Sequence, residues 1–198
     1  MSEFDYICKY QTLREAKKYM KYKEITFKEI RSACSYEKRS IIEFLYSNNP
    51  DLIFTVLVQS IATFKPKLFK YYFNKHVHML DEEQIKHIFV LAIEGFGDPK
   101  ITISMAKKYK IDINKIKDID ISVSMICDRD CISELCKKIK YKPNLSQVLK
   151  SSIIGCNYEL AMDLIDEGIT IEIDDEFNKV LKDGIDLNKE YLNRAIKN

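Results

Sequence analysis

The sequence predicts an all-α protein assembled from repeated helical hairpins, and three observations carry that expectation. A small residue followed by a second small or apolar one recurs at Ser32-Ala33, Ser60-Ile61, Ala92-Ile93, Ser124-Met125 and Ser152-Ile153, at spacings of 28, 32, 32 and 28 residues. Each pair is followed by a polar or Gly-bearing turn and then by a segment with apolar residues at helical spacing, such as Ile41, Phe44 and Leu45, or Leu160, Leu164 and Ile165. Glycine (5) and proline (4) are scarce, which disfavours a turn-rich sandwich or barrel.

In chain order, residues 1–25 are expected to form a capping half-unit. Five hairpins then occupy about 26–51, 52–80, 81–114, 115–145 and 146–174, with a second capping piece at 175–198, all in one domain. Helix starts are marked by Thr12-Leu-Arg-Glu15 and Thr26-Phe-Lys-Glu29, which fit the capping box, and by the close variant Asp81-Glu-Glu-Gln84. The small residue has a physical reason: antiparallel helices joined by a short turn approach closely there, and a Ser or Ala admits the neighbouring backbone. Second helices are expected to begin near Ser40, Lys67, Lys100, Cys131 and Glu159. Pro50, Pro66, Pro99 and Pro143 fall in or beside the connections, where a missing N–H does little harm.

The fifth unit reads Asn157-Tyr-Glu159-Leu160, then Leu164-Ile165 and Gly168. It resembles the second-helix signature of ankyrin repeats, G-N-x-E-I-V-x-x-L-L-x-x-G followed by A-D-I-N. The tail recurs as Lys110-Ile111-Asp112-Ile113-Asn114 and as Gly184-Ile185-Asp186-Leu187-Asn188. The likeness spans about residues 26–188 and is degenerate. No unit opens with T-P-L-H, Cys156 stands where Gly is usual, and Lys110 and His76 occupy the Gly place after two second helices. The resemblance is to the divergent ankyrin-like proteins of large DNA viruses and intracellular bacteria. It implies a short solenoid with capping helices at both ends and a role in binding proteins without catalysis. The expected partner is a host protein, met in the cytoplasm.

Composition agrees with a folded chain: 46% hydrophobic, 31% charged, net charge +2. That balance argues against a global field for nucleic acid or anionic membrane. No run of about 18 apolar residues suggests a membrane span. MSEFDYICKY lacks the features of a signal peptide, so a reducing cytoplasm and unpaired thiols are expected for Cys8, Cys34, Cys127, Cys131, Cys136 and Cys156. The cluster Cys127, Cys131 and Cys136 has one usable spacing and no second ligand pair. Buried thiols packing as small hydrophobes, with Cys34 and Cys156 at the turns after their small–apolar pairs included, are expected in place of a metal site.

Nothing in the chain assembles a nucleophile with its base, a phosphate loop or a cofactor cradle, so an enzyme is not expected. Glu94-Gly-Phe-Gly-Asp98 is expected to be an enlarged turn displaying Phe96. The remaining candidate contacts with a protein partner are the loops: Asn48 and Asn49; His76 and His78; Ile111, Asp112 and Asn114; Lys140, Tyr141 and Lys142; and Gly168, Ile169 and Thr170. Charge is segregated. Arg14, Lys17, Lys18, Lys21, Lys23 and Lys28 interleave with Tyr19 and Tyr22, while residues 163–176 carry seven acids. Polar caps explain both runs; end-to-end self-association, or nucleic acid meeting the Lys/Tyr runs (with Lys137–Lys142 as another), are the alternatives.

Overall fold

The computed structural model describes residues 1–47, 49–183, 187 and 189–196. Asn48, Gly184, Ile185, Asp186 and Asn188, singled out above, lie outside them. The described residues form an all-α protein with no strand; the one backbone bridge joins Ile171 to Ile196. The chain divides into two compact units, 1–91 and 92–198, and the division falls inside a helix, α7 (Glu82–Phe96).

In the first unit, α1 (Glu3–Tyr10), α3 (Phe27–Ser35) and α5 (Leu52–Ala62) pack successively on one another, and α2 (Leu13–Met20) packs on α4 (Arg39–Ser47). The α6 helix (Pro66–His76) packs on α5 and runs into a 3-10 turn at Val77–Met79. Phe4, Ile30, Ile41, Ile42, Leu45, Leu57, Leu68, Phe69, Tyr72 and Phe73 form its core. The Thr26–Glu29 capping box is complete, the Asp81–Gln84 pair is reciprocal, and a further box, Ser2–Asp5, starts α1. At Thr12 the hydroxyl bonds the Glu15 carboxylate and caps no backbone N–H.

In the second unit, α8 (Pro99–Tyr109), α10 (Arg129–Ile139), α12 (Tyr158–Asp166) and α14 (Lys189–Ala195) pack in succession. So do α9 (Ile119–Ile126), α11 (Leu145–Ile154) and α13 (Asp175–Asp183). A 3-10 turn, Ile113–Lys115, follows α8. All five expected second helices are present, starting one or two residues before the expected points.

The five small residues, Ser32, Ser60, Ala92, Ser124 and Ser152, are all buried. The hydroxyls of Ser60, Ser124 and Ser152 donate to carbonyls in their own helices (Val56, 2.7 Å; Ile121, 2.6 Å; Leu149, 2.8 Å), so burying them strands no polar group. Of the residues that follow them, Ala33, Ile61, Ile93 and Ile153 are buried, whereas Met125 is 52% exposed and lies over Gly155.

The turns after the first helices share a left-handed residue: Glu37 (φ 53°), Phe64 (φ 55°), Gly97 (φ 60°) and Cys156 (φ 59°). At three of them the same two bonds close the helix. Lys38, Lys65 and Asn157 N–H donate to Ala33, Ser60 and Ser152, while Glu37, Phe64 and Cys156 donate to Cys34, Ile61 and Ile153. The carbonyl of the buried Ser60 or Ser152 thus ends the helix that its side chain packs. Lys110 (φ 55°) and Gly168 (φ 82°) repeat the conformation after α8 and α12, whereas His76 does not, because α6 continues into the 3-10 turn.

Two substitutions test this geometry. Ser60→Leu and Ser152→Leu force a large side chain between closely packed backbones and should each cost about 1–3 kcal/mol in urea denaturation. Cys156→Gly relieves a left-handed non-glycine at a net gain of roughly 0.5–1 kcal/mol, after the greater freedom of unfolded glycine is subtracted. Destabilisation by Cys156→Gly would refute the turn.

Candidate functional site

The outward faces of α2, α4 and α6 join into one surface in the first unit. Arg39, Glu43 and Tyr46 lie on one side of α4 because their spacing of four and three residues returns each to the same face. Tyr71 and Lys75 do the same on α6, and Tyr72 and His76 form a second pair one position on.

Across α4 and α6, the Arg39 guanidinium lies 4.7 Å from the Tyr71 ring centroid, and Lys75 Nζ donates to Glu43 Oε1 at 3.1 Å. The Tyr71 hydroxyl donates to the same Glu43 oxygen at 3.3 Å. The Glu43 carboxylate beside Lys75 raises the proton affinity of that ammonium. Below them, Tyr72 is fully buried and its hydroxyl donates to Arg39 O. His76 Nε2 is 3.0 Å from the Tyr46 hydroxyl, its ring is edge-on to Tyr46, and His78 stacks 6.5 Å beyond. Toward α2, Lys17 Nζ lies 5.5 Å from the Phe44 ring centroid.

The result is a cation–aromatic surface on a unit with 15 Lys and Arg against 11 Asp and Glu. It contains two of the expected contact residues, His76 and His78, and Lys17 of the basic run. Arg39, Glu43, Tyr46 and Tyr71 were missed, although the four-residue spacing from Tyr71 to Lys75 is visible in the sequence. The Lys/Tyr run that begins in α2 and continues beyond it is used internally as well: Lys23 sits 3.4 Å from the Tyr19 ring centroid and Lys21 5.0 Å from that of Tyr22.

The other expected contact residues are scattered, and several hold the chain together. Tyr141 is buried and its hydroxyl bonds Asp120, so burial and that carboxylate both raise its proton affinity. Asn114 clamps the same loop, donating from Nδ2 to Lys140 O at 3.1 Å and accepting at Oδ1 from Lys142 N–H at 2.8 Å. Asp112 accepts from Asn114 N–H, Ile111 ends the α8 turn, and Thr170 O accepts from Ser146. Gly168 and Ile169 N–H close α12. Asn49 N–H donates to Tyr46 O. Phe96 is the last residue of α7 and half-buried, so the expected enlarged turn shrinks to Gly97–Asp98: helix hydrogen bonding continues through Gly95.

Among the described residues, three of the seven acids in the acidic run form ion pairs: Asp166 with Arg194 (2.8 Å), Glu167 with Arg129 (2.6 Å) and Asp174 with Lys150 (2.6 Å). Among the thiols, Cys8, Cys34, Cys127 and Cys131 are buried, whereas Cys136 is half-buried and Cys156 exposed. The expectation of buried thiols therefore holds only in part at Cys136 and fails at Cys156, whose left-handed turn projects the side chain outward. Among the described residues, no three His, Cys, Asp or Glu side chains are placed to hold a metal ion, and no helix is long and apolar enough to cross a membrane.

No family model, curated protein or solved structure matches the chain.

His76 yields a pH prediction. Burial, then the charges of Lys75 and His78, depress its proton affinity below the ordinary 6.5. The unfolded chain therefore binds this proton more readily than the folded one, so the His76 contribution to stability is complete above 6.5 and is lost as pH falls from there through the lower value of the folded state. Urea denaturation one unit either side of 6.5 should show the loss, and His76→Gln should flatten the difference. An equal pH dependence in wild type and variant would remove His76 from the account.

Proposed function

We propose that this chain is a non-enzymatic protein-interaction module: a short solenoid of about five degenerate ankyrin-like hairpins. The cation–aromatic surface of α2, α4 and α6 is its docking face. Support for the solenoid comes from the ladder of polar contacts. Ser32 to Asp5, Tyr46 to His76, Lys75 to Glu43, Ser122 to Glu94, Lys142 to Asn114, and Asn157 to Ser124 each join residues 27 to 33 positions apart. That is one repeat length, as expected where each unit touches mainly its neighbours.

The observation that carries the functional reading is the Arg39–Tyr71–Lys75–Glu43 cluster. It places a guanidinium, an ammonium and a 37%-exposed tyrosine on rigid helices. Arg and Tyr in such a setting are residues on which protein interfaces concentrate their energy. The excess of positive charge makes an acidic segment of a protein the matching partner. Nucleic acid is the second reading. It is disfavoured because cations of the chain itself occupy the ring faces of Tyr71, Tyr19 and Tyr22, the surfaces on which bases would stack. Place in the cell follows from the family resemblance: the cytoplasm, and that of a host if the chain is viral.

The test is capture from cytoplasmic extract by the tagged chain, with and without nuclease, beside the variants Arg39→Glu and Tyr71→Ala. One protein retained after nuclease, recovered at least tenfold less with either variant and weakened by salt, is the expected result. Recovery that collapses with nuclease would transfer the surface to nucleic acid. Recovery of the chain alone would make it a self-associating structural component.

A further inference from the structure

Of the five turns that join first to second helices, the one between α9 and α10 departs from the others. Cys127 ends α9 in extended conformation (φ −85°, ψ 141°), where the other four turns have a left-handed residue. Asp128 then caps α10, its Oδ1 accepting from Cys131 N–H at 2.7 Å. This sharp two-residue link folds the chain so that Cys131, in the first turn of α10, returns to Cys127. The two sulfurs are 2.9 Å apart, with both side chains buried. Two thiols four residues apart in one continuous helix would have no such extended link between them.

The surroundings shape access to this pair. Ile93, Gly97, Pro99, Thr102 and Leu135 line a crevice into which both cysteines open, beside the Gly97–Asp98 turn. An added Cβ at Gly97 would meet nothing within 4 Å, so that side of the crevice is open. The remaining cysteines do not join them: among the described residues the sulfur contact is between Cys127 and Cys131, while Cys136 is half-buried farther along α10 and Cys34 bonds toward Ser60 and Val56.

We infer that Cys127 and Cys131 are a reversible dithiol–disulfide site, oxidised by a small two-electron oxidant of the hydroperoxide class. Cys131, 8% exposed against 3% for Cys127, meets the oxidant first. Its sulfur, as thiolate, attacks one oxygen of hydrogen peroxide. The O–O bond breaks, hydroxide leaves, and a sulfenic acid remains. The Cys127 sulfur then attacks the sulfenic sulfur, forming the S–S bond and expelling the sulfenic oxygen. With the Cys127 thiol proton and the proton first lost by Cys131, both displaced oxygens leave as water. Two thiols and one peroxide thus become one disulfide and two waters. A dithiol reductant reverses the step by thiol–disulfide exchange.

The neighbouring Cys131 sulfur, and after it burial, raise the proton affinity of Cys127, consistent with its acting second, as the resolving thiol. Cys127 O also accepts from Asn157 Nδ2 at 3.2 Å, so the staple would act on a residue that anchors the α11–α12 turn. The site is separate from the docking face proposed above and does not depend on that reading.

The experiment uses the full chain in a Cys156→Ser background, which removes the exposed thiol. The protein is treated with stoichiometric hydrogen peroxide, denatured, alkylated and weighed intact. The expected result is a drop by two in the number of alkylated cysteines, restored by dithiothreitol. Trypsin cuts between Arg129 and Asp130, so Cys127 and Cys131 should lie on two peptides that stay joined until reduced. Because Cys136 shares the second peptide, the same linkage must persist with Cys136→Ser. An unchanged alkylation count, a linkage lost with Cys136→Ser, or irreversible sulfinic acid at Cys131 without any linkage would each overturn the site.

Discussion

The approach of neighbouring first helices is the constraint on which the rest of the structure depends. Where α3 meets α5, and α9 meets α11, a residue larger than serine at position 60 or 152 would hold the backbones apart. Serine is tolerated there because its hydroxyl bonds back to its own helix, which removes the penalty for burying an oxygen. Alanine at 92 achieves the same with no polar group. The Ser60 and Ser152 carbonyls then take the closing bond of the turn, so position and direction of the next helix follow from the same residue.

That arrangement makes the non-glycine turns intelligible. A left-handed residue costs about 1–2 kcal/mol when it carries a side chain. Glu37, Phe64, Lys110 and Cys156 all bear that cost. They persist because two closing hydrogen bonds and the packing of both flanking helices leave the backbone no better course. Phe64, 70% exposed, shows that the side chain itself is not what holds the turn. The energy lies in the backbone bonds and in the helices on either side.

Much of the helical architecture was legible from the sequence because it rests on short-range signals. Residue size at one point per hairpin, apolar spacing on the second helix, and the capping residues Thr26 and Asp81 each act within a few positions. Legibility ended where a residue's neighbour lay a full hairpin away. Tyr141 was placed among surface contacts from its loop and its Lys neighbours, yet it is buried by a bond to Asp120 that no local pattern announces. Asn114 belongs with it, since the loop it clamps begins at Lys140. Phe96 erred for the opposite reason: two glycines suggested a turn, but a helix already anchored by Ile88, Phe89 and Ala92 carries Gly95 at modest cost.

The same distance governs how function is written into such a chain. Arg39 and Tyr71 meet although 32 positions separate them, and neither belongs to a motif that a linear reading isolates. Each is unexceptional on its own helix, where exposed positions are free to vary without disturbing the buried row. What makes them a surface is the register of α4 against α6, set by buried Leu45 and Tyr72 and by the bond from the Tyr72 hydroxyl to Arg39 O. The core thus aligns surface residues on neighbouring helices, and their chemistry can change from one helix pair to another while the alignment stays. In the first unit that freedom produces cations over aromatic rings; around α10 and α12 it produces Asp163, Asp166 and Glu167, two of them held by Arg129 and Arg194. One set of packing rules therefore supports surfaces of opposite charge, carried by residues that folding leaves unconstrained.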